Sequence, residues 1–473
     1  MQTSKIIKTA FLKSALTEEN PHISTSAVID WLKERNNAIK VHVNKIRFDQ
    51  MKHWAFDQNR GLLGHSSGKF FTIEGMNVKT NWGKVPEWEQ PIINQPEVGY
   101  LGIITKEFNG ILYFLLQAKI EPGNVNNVQL SPTLQATRSN YTQVHKGKKP
   151  MYLEYFQNAS KDQVVLDQLQ SEQGARFLRK RNRNIIIKIE EDIEVHEDFI
   201  WLSLGQIKKL IRHDNLVNMD TRTVISGISY ENKNLSIQLN DFLTDVLINN
   251  TFETGMILSA LNNSYSMHSF DQILNWITAL KCSFDLEISS KSIYEIKDWY
   301  VEDKEIRHAK NKYFKVIATE VEIENREVTS WTQPLVEPLQ EGLIAFIVKK
   351  INGVYHFLVQ AKLECGNFDI IEMAPTVQCL TDSYSESVFL PFLSDVLNPK
   401  PGSVRFDSLQ SEEGGRFYRE QNRNIIIEAD DEFPIEVPPN YIWVTLNQLN
   451  AFLKFNNYLN IQSRSLISAI SFL

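Results

Sequence analysis

The chain repeats itself once, and this constrains its fold more than any other feature. HSSGKFFTI from His65 answers HAKNKYFKV from His308, and YFLLQAKIEPGN from Tyr113 answers HFLVQAKLECGN from His356, both 243 residues on. LQSEQGARFLRKRNRNIII from Leu169 answers LQSEEGGRFYREQNRNIII from Leu409 at 240 residues, and FIWLSLGQ from Phe199 answers YIWVTLNQ from Tyr441 at 242. Trp31 and Trp54 answer Trp276 and Trp299 at 245. Solenoid repeats run to about 50 residues, so each copy here is a domain or half-domain. The expected division is copy one over 1–230, a helical connector over 231–265 that holds NDFLTDVLINN, and copy two over 266–473.

Apolar residues make up 42% of the 473 and charged residues 23%, a globular composition. The formal net charge of −7 argues against non-specific nucleic-acid binding. The three cysteines, Cys282, Cys365 and Cys379, show no metal-ligand spacing and suit a reducing compartment. Lys8 and Lys13 interrupt the apolar run of the N-terminus, so no signal peptide is read, and runs such as Leu343 to Val348 are too short to span a bilayer. The expectation is a soluble, cytoplasmic protein with no nucleic-acid or membrane partner.

Each copy carries a hairpin signal: apolar runs flank Asn109-Gly110 in one and Asn352-Gly353 in the other, and Asn-Gly suits a type I′ turn. An irregular polar stretch is expected over 125–150. Ser171 and Ser411 offer N-caps for helices, the first running to about Arg181. RNIIIKI reads as a buried strand. Ser203 and Thr445 read as caps, and short helices are expected over 221–229, 463–471, 26–37 and 269–281. The sum is an α+β fold with a mixed sheet and helices packed on it.

The chain has no GxxxxGK[ST] phosphate loop, GxGxxG, GxSxG or HExxH. Chemistry is expected instead in the polar block after the first hairpin, which holds Gln117, Lys119, Glu121, Gln135, Arg138, Ser139, Asn140, Tyr141, Thr142 and His145. A loop beside rigid strands is a common place for catalytic groups. Copy two retains Lys362, Glu364 and Tyr384 but has Thr381, Asp382 and Ser383 where copy one has Arg138, Ser139 and Asn140. That asymmetry points to copy one for a single active site. A second block repeats Arg176, Arg179 and Arg183 as Arg416, Arg419 and Arg423. Guanidinium forks suit diphosphate, and a shared helix face is expected for the first two of each set. Trp88 and Trp331 could stack on a nucleotide base, but burial is the simpler reading, as a structural role is for His65 and His308.

QLSPTLQATRSNYTQVHKG, with QAKIEPGN before it and SEQGARFLRKRNRN after it, resembles the nucleotide-diphosphate-hexose 2,3-dehydratases of deoxysugar biosynthesis, over nearly the whole chain. The resemblance implies two tandem Nudix-like domains in a homodimer. The Nudix hydrolase box GX5EX7REUXEEXGU is in neither copy, so no metal, no cofactor and no diphosphate hydrolysis are expected. It also implies loss of water across carbons 2 and 3 of a nucleotide-linked 4-keto-6-deoxyglucose, dTDP being the commonest carrier. The product is a 3,4-diketo-2,6-dideoxy sugar that a partner 3-ketoreductase takes onward. Under that reading Glu121 or His145 is the base at carbon 3, Tyr141 or His145 the acid, and Lys119 or Arg138 the stabiliser of the enolate. The remaining residues of the two blocks bind substrate. The alternative is a non-catalytic nucleotide-sugar binding protein.

Overall fold

The computed structural model describes residues 2–142, 149–230, 251–261, 264–324, 328–381 and 390–472. Each copy builds its main sheet on the expected hairpin. Asn109 and Gly110 turn at φ 51° and 78°, and Asn352 and Gly353 at 53° and 83°, the paired positive values that a type I′ turn requires. Beside the hairpin strands Gly99–Phe108 and Ile111–Ile120, the strand Arg181–Ile189 runs parallel to the first, and Phe199–Ser203 runs antiparallel to the second. With Val164–Ser171 at one edge the result is a seven-stranded mixed sheet, repeated in copy two around Gly342–Ile351 and Val354–Leu363.

The alternation of apolar side chains gives each sheet two buried faces. One face of both sheets feeds a shared core, in which Leu101, Ile103 and Phe114 join a cluster with Ile344, Phe346 and Phe357. Ser203 caps Leu204–Ile211 through Gln206 N, and Thr445 caps Leu446–Phe452 through Gln448 N, as expected. The last helices are Met219–Ser226 and Ile461–Ser468. They start two residues before the expected position because Asn218 and Asn460 are their caps. These two helices pack together where the copies meet. There Arg222 donates to Ser465 Oγ and the Ser411 carbonyl, and Arg464 donates to Thr223 Oγ1 and the Ser171 carbonyl. Both guanidiniums are 1% exposed.

Copy exchange appears in two smaller sheets. Val41–Ile46 of copy one pairs with Phe314–Ile323 of copy two, and Leu286–Lys291 of copy two pairs with Thr72–Thr80 of copy one. The helix Phe252–Leu261 sits on the copy-two sheet as Gln2–Ala15 sits on the first. Ser259 Oγ donates to the Tyr355 carbonyl and accepts from Leu446 N, as Ser14 Oγ does with Leu112 and Leu204. NDFLTDVLINN lies outside the described residues.

Two local expectations are corrected. No helix follows Ser171 or Ser411. Ser171 Oγ donates to Glu372 Oε2 across the copies at 3.0 Å, and Ser411 Oγ to Gln129 Oε1 at 2.8 Å, so neither caps a helix. The chain then turns over 174–176 to place Phe177 beside Ile93. Arg176 and Arg179 therefore share no helix face. The stretch after residue 125 is also more regular than expected: Val128–Pro132 and Leu134–Ala136 are strands, and Arg138–Tyr141 is a single helical turn. Several of its polar side chains are buried and bonded. Thr133 Oγ1 donates to the Leu115 carbonyl and accepts from Ile104 N, and Asn218 donates to Ser131 Oγ.

Candidate active site

Strand geometry sets the first wall of the site. Lys119 on Ile111–Ile120 and Glu121 just after it alternate with Ala118 and Ile120, so the apolar pair enters the core and the charged pair lines a cavity. The cavity, of about 780 Å³, is lined also by Gln135, Glu172, Lys180, Asn182 and Asp220. Copy two supplies another wall: Trp331, Thr332 and Gln333 from one strand, and Glu413, Gly415 and Arg416 from the turn after Ser411. His65, Phe70 and Tyr100 complete an aromatic side.

Glu121 is 6% exposed. Gln135 Nε2 donates to its Oε1 at 2.8 Å, while its buried Oε2 has no hydrogen-bond partner among the described residues. Leaving such an oxygen unbonded is costly, so the hydrogen bonding of Glu121 is incomplete beside the cavity. Lys119 Nζ donates to the Gln135 carbonyl at 3.3 Å. Lys180 donates to the Glu97 carbonyl, and burial pushes its pKa down to about 8 despite the carboxylate of Glu172. Burial raises Glu413 to about 7, with Glu121 and Glu172 adding to the rise and Arg416 opposing it. Asp220 is raised well above the usual carboxylate range by burial first and then by Glu413, Glu172 and Glu121. Four carboxyl groups thus meet two lysines and an arginine. Burial and mutual repulsion favour the protonated forms of Glu172, Asp220 and Glu413. Acid and base forms of the same group type therefore stand side by side.

Of the residues expected in the site, Lys119, Glu121, Gln135 and Arg416 meet at this cavity. Tyr141 stands one step back, its ring 5.6 Å from that of Tyr100, with its hydroxyl pKa raised by burial. Arg183 also backs Tyr100, donating to its hydroxyl at 3.2 Å while bound to Asp167 at 2.6 Å. Ser139 is buried and held by Glu97 Oε2 at 3.0 Å. Gln117 is not in the lining, and Arg138 and Thr142 are exposed. Arg179 and Arg419 are exposed too, at positive φ of 48° and 53°. Arg423 pairs with Asp407. Arg416 lies 4.3 Å over the Phe71 ring of copy one, and Arg176 lies 4.2 Å over the Phe314 ring of copy two, so each copy extends this arginine into the other. Lys362 and Glu364 repeat the bonds of Lys119 and Glu121 to the equivalent glutamine, Gln378. His145, Tyr384 and the side chain of Asn140 lie outside the described residues.

Sequence reasoning missed Lys180, Asp220 and Glu413 as site residues, and expected a core role for Trp331 and a structural one for His65, both of which line the cavity.

The arrangement is equipped for proton transfer on a polar substrate held between the copies. The sequence profile of the NDP-hexose 2,3-dehydratases matches residues 25–228 and again 270–470, and the chain belongs to this family. It is 45% identical over 463 residues to a dTDP-4-dehydro-6-deoxy-alpha-D-glucopyranose 2,3-dehydratase of Saccharopolyspora spinosa, covering 97% of this chain and 94% of that one. An enzyme of the same name from Amycolatopsis orientalis is 41% identical, with 97% and 92% covered. A third, from Streptomyces violaceoruber, is 38% identical, with 93% and 95% covered. Among the described residues no helix is long and apolar enough to cross a membrane.

Proposed function

We propose that this protein removes water across carbons 2 and 3 of dTDP-4-keto-6-deoxyglucose in the cavity between its copies. The names of the relatives support the substrate. The observation that carries the chemistry is the unpartnered Glu121 Oε2 in a charged cavity. The carbon-4 ketone acidifies the proton on carbon 3, Glu121 removes it, and Lys119 stabilises the resulting enolate. A positioned base is worth about 10²–10⁴-fold, and a preorganised donor at the enolate oxygen about 10²–10³-fold. Trp331, His65 and Phe70 are suited to stack the nucleotide base.

The mixed sheets with helices on their faces support the Nudix-like reading of each copy. We take Phe252–Leu261 as the first helix of copy two, since it repeats the bonds of Gln2–Ala15. The diketone product is reactive, which supports a 3-ketoreductase as downstream partner. A homodimer, implied by the family resemblance, is tested by light scattering. The three free cysteines fit a reducing cytoplasm.

The reaction is tested by incubating the protein with dTDP-4-keto-6-deoxyglucose in deuterated water and following it by NMR and mass spectrometry. Loss of one water, or breakdown of the resulting sugar with release of dTDP, is the expected result. Recovery of unchanged substrate that binds in calorimetry would mean a binding protein instead.

A further inference from the structure

The repeat supplies an internal control for the acid of the reaction. Around the matched pairs Glu121–Gln135 and Glu364–Gln378 the two copies hold the same framework. Among the ionisable positions that break the match, three gather around Glu121 at the cavity. Lys180 is answered by Glu420, Asp220 by Gln462, and Glu413, which crosses into the cavity of copy one, by Gln173, which crosses the other way. Gln173 donates its amide to Glu412 and has no acidic proton. Glu364 also differs from Glu121, because its Oε2 accepts from Gly174 N at 3.2 Å. The copy-two set therefore lacks an acid at the crossing position, lacks a cation at position 420 and has its carboxylate bonded on both oxygens.

We propose that Glu413, contributed by copy two, is the general acid that protonates the departing carbon-2 hydroxyl, with Lys180 and Asp220 as its positioning residues. The assignment rests on the dehydratase reading above. Asp220 sits in the first turn of Met219–Ser226 and is 3% exposed, whereas Glu413 is only partly buried, on a turn at the cavity wall. A group that gives and regains a proton in each cycle needs that access. The same turn brings Gly415 against Glu121: a Cβ there would lie 3.4 Å from Glu121 Oε1. Acid and base thus flank one space. The rise of Glu413 to about 7 leaves it substantially protonated at neutral pH.

The steps balance without a further reactant. Glu121 takes the carbon-3 proton, and the electron pair of that bond moves toward the carbon-4 oxygen. The enolate then collapses, the bond between carbon 2 and its oxygen breaks, and the hydroxyl leaves as water with the Glu413 proton. The enol that remains receives the Glu121 proton at carbon 2 and gives its carbon-3 hydroxyl proton to Glu413. Both carboxyls return to their starting states.

The test is Glu413→Gln, which installs the side chain that copy two has at the equivalent place. In deuterated water with dTDP-4-keto-6-deoxyglucose, dehydration should fall about 10²–10⁴-fold. Exchange of the carbon-3 hydrogen for deuterium should continue, because the base is intact. Dehydration within threefold of wild type would overturn the assignment. So would equal loss of exchange and dehydration in a variant with an unchanged melting temperature. If glutamine unsettles the fold, Glu413→Asp keeps the acid but shortens its reach: it should exchange normally and dehydrate more slowly, and a wild-type rate would overturn the proposal. A wild-type protein inert on this substrate would remove the dehydratase reading itself, whereas active wild type with active Glu413→Gln would remove only Glu413.

Discussion

The contact between the copies is symmetric, while the cavity beside it is not. Arg222 and Arg464 occupy equivalent places, each donating to a carbonyl that ends a strand of the other copy, Ser411 and Ser171. A few residues away, Asp220 faces Gln462 across the same repeat, and Lys180 faces Glu420. The symmetric residues hold the halves together, so a change in either copy is penalised alike. The asymmetric ones are those proposed above to serve the reaction. The duplicated scaffold thus lets copy two wall the cavity of copy one, and charge differs between the copies at positions that line it.

That comparison can be broken at several points. The largest expected effect is on turnover. Lys180→Met removes the only cation among the three asymmetric positions, and kcat should drop about 10²–10³-fold, read by NMR with folding checked by circular dichroism. A rate within threefold of wild type would mean that the charge difference at this position is incidental.

The symmetric region should respond symmetrically. Arg222→Met and Arg464→Met each leave buried acceptors unpaired, and each should cost about 3–5 kcal/mol, measured by urea unfolding. A large cost at one arginine and none at the other would contradict a shared framework. Weaker but of the same kind, Ser203→Ala and Thr445→Ala remove equivalent N-caps and should each cost about 1 kcal/mol.

A further effect is on the pH dependence of stability. Glu413 has a folded pKa of about 7, above its ordinary value of 4.5. Between those two values the native state binds more protons than the unfolded state, so this group makes stability fall as pH rises through the window. Glu413→Gln removes the contribution. Between pH 5 and pH 8 the melting temperature of the variant should therefore gain on that of wild type. A gap that does not change with pH would place the Glu413 pKa in the ordinary range.

Much of the framework was legible from local signals. Asn-Gly suited positive φ at both turn residues, Ser203 and Thr445 preceded their helices as caps, and the short β-branched run RNIIIKI read as a buried strand. The segment after Ser171 misled because its partners are distant. Phe177 bridges to Ile93, and Arg179 N reaches the Gly366 carbonyl of copy two, so a cap-like serine there serves a contact between copies. The stretch after residue 125 looked irregular because Gln129, Ser131 and Thr133 are polar, yet each is bonded in the interior. Lys119 and Glu121 could be picked from their strand, and Arg416 from its block. Glu413 and Trp331 could not be assigned to copy one from spacing, since only the folded exchange between copies brings them there. A signal for Lys180, Asp220 and Glu413 did exist in the repeat: they are charge changes inside otherwise matched blocks.

The most direct test of the account is Glu121→Gln assayed on dTDP-4-keto-6-deoxyglucose in deuterated water. If Glu121 is the base of a site in copy one, the variant should lose both carbon-3 exchange and dehydration, by about 10²–10⁴-fold, while binding the nucleotide sugar and melting as wild type does. A variant that exchanges and dehydrates at the wild-type rate would show that the chemistry lies elsewhere.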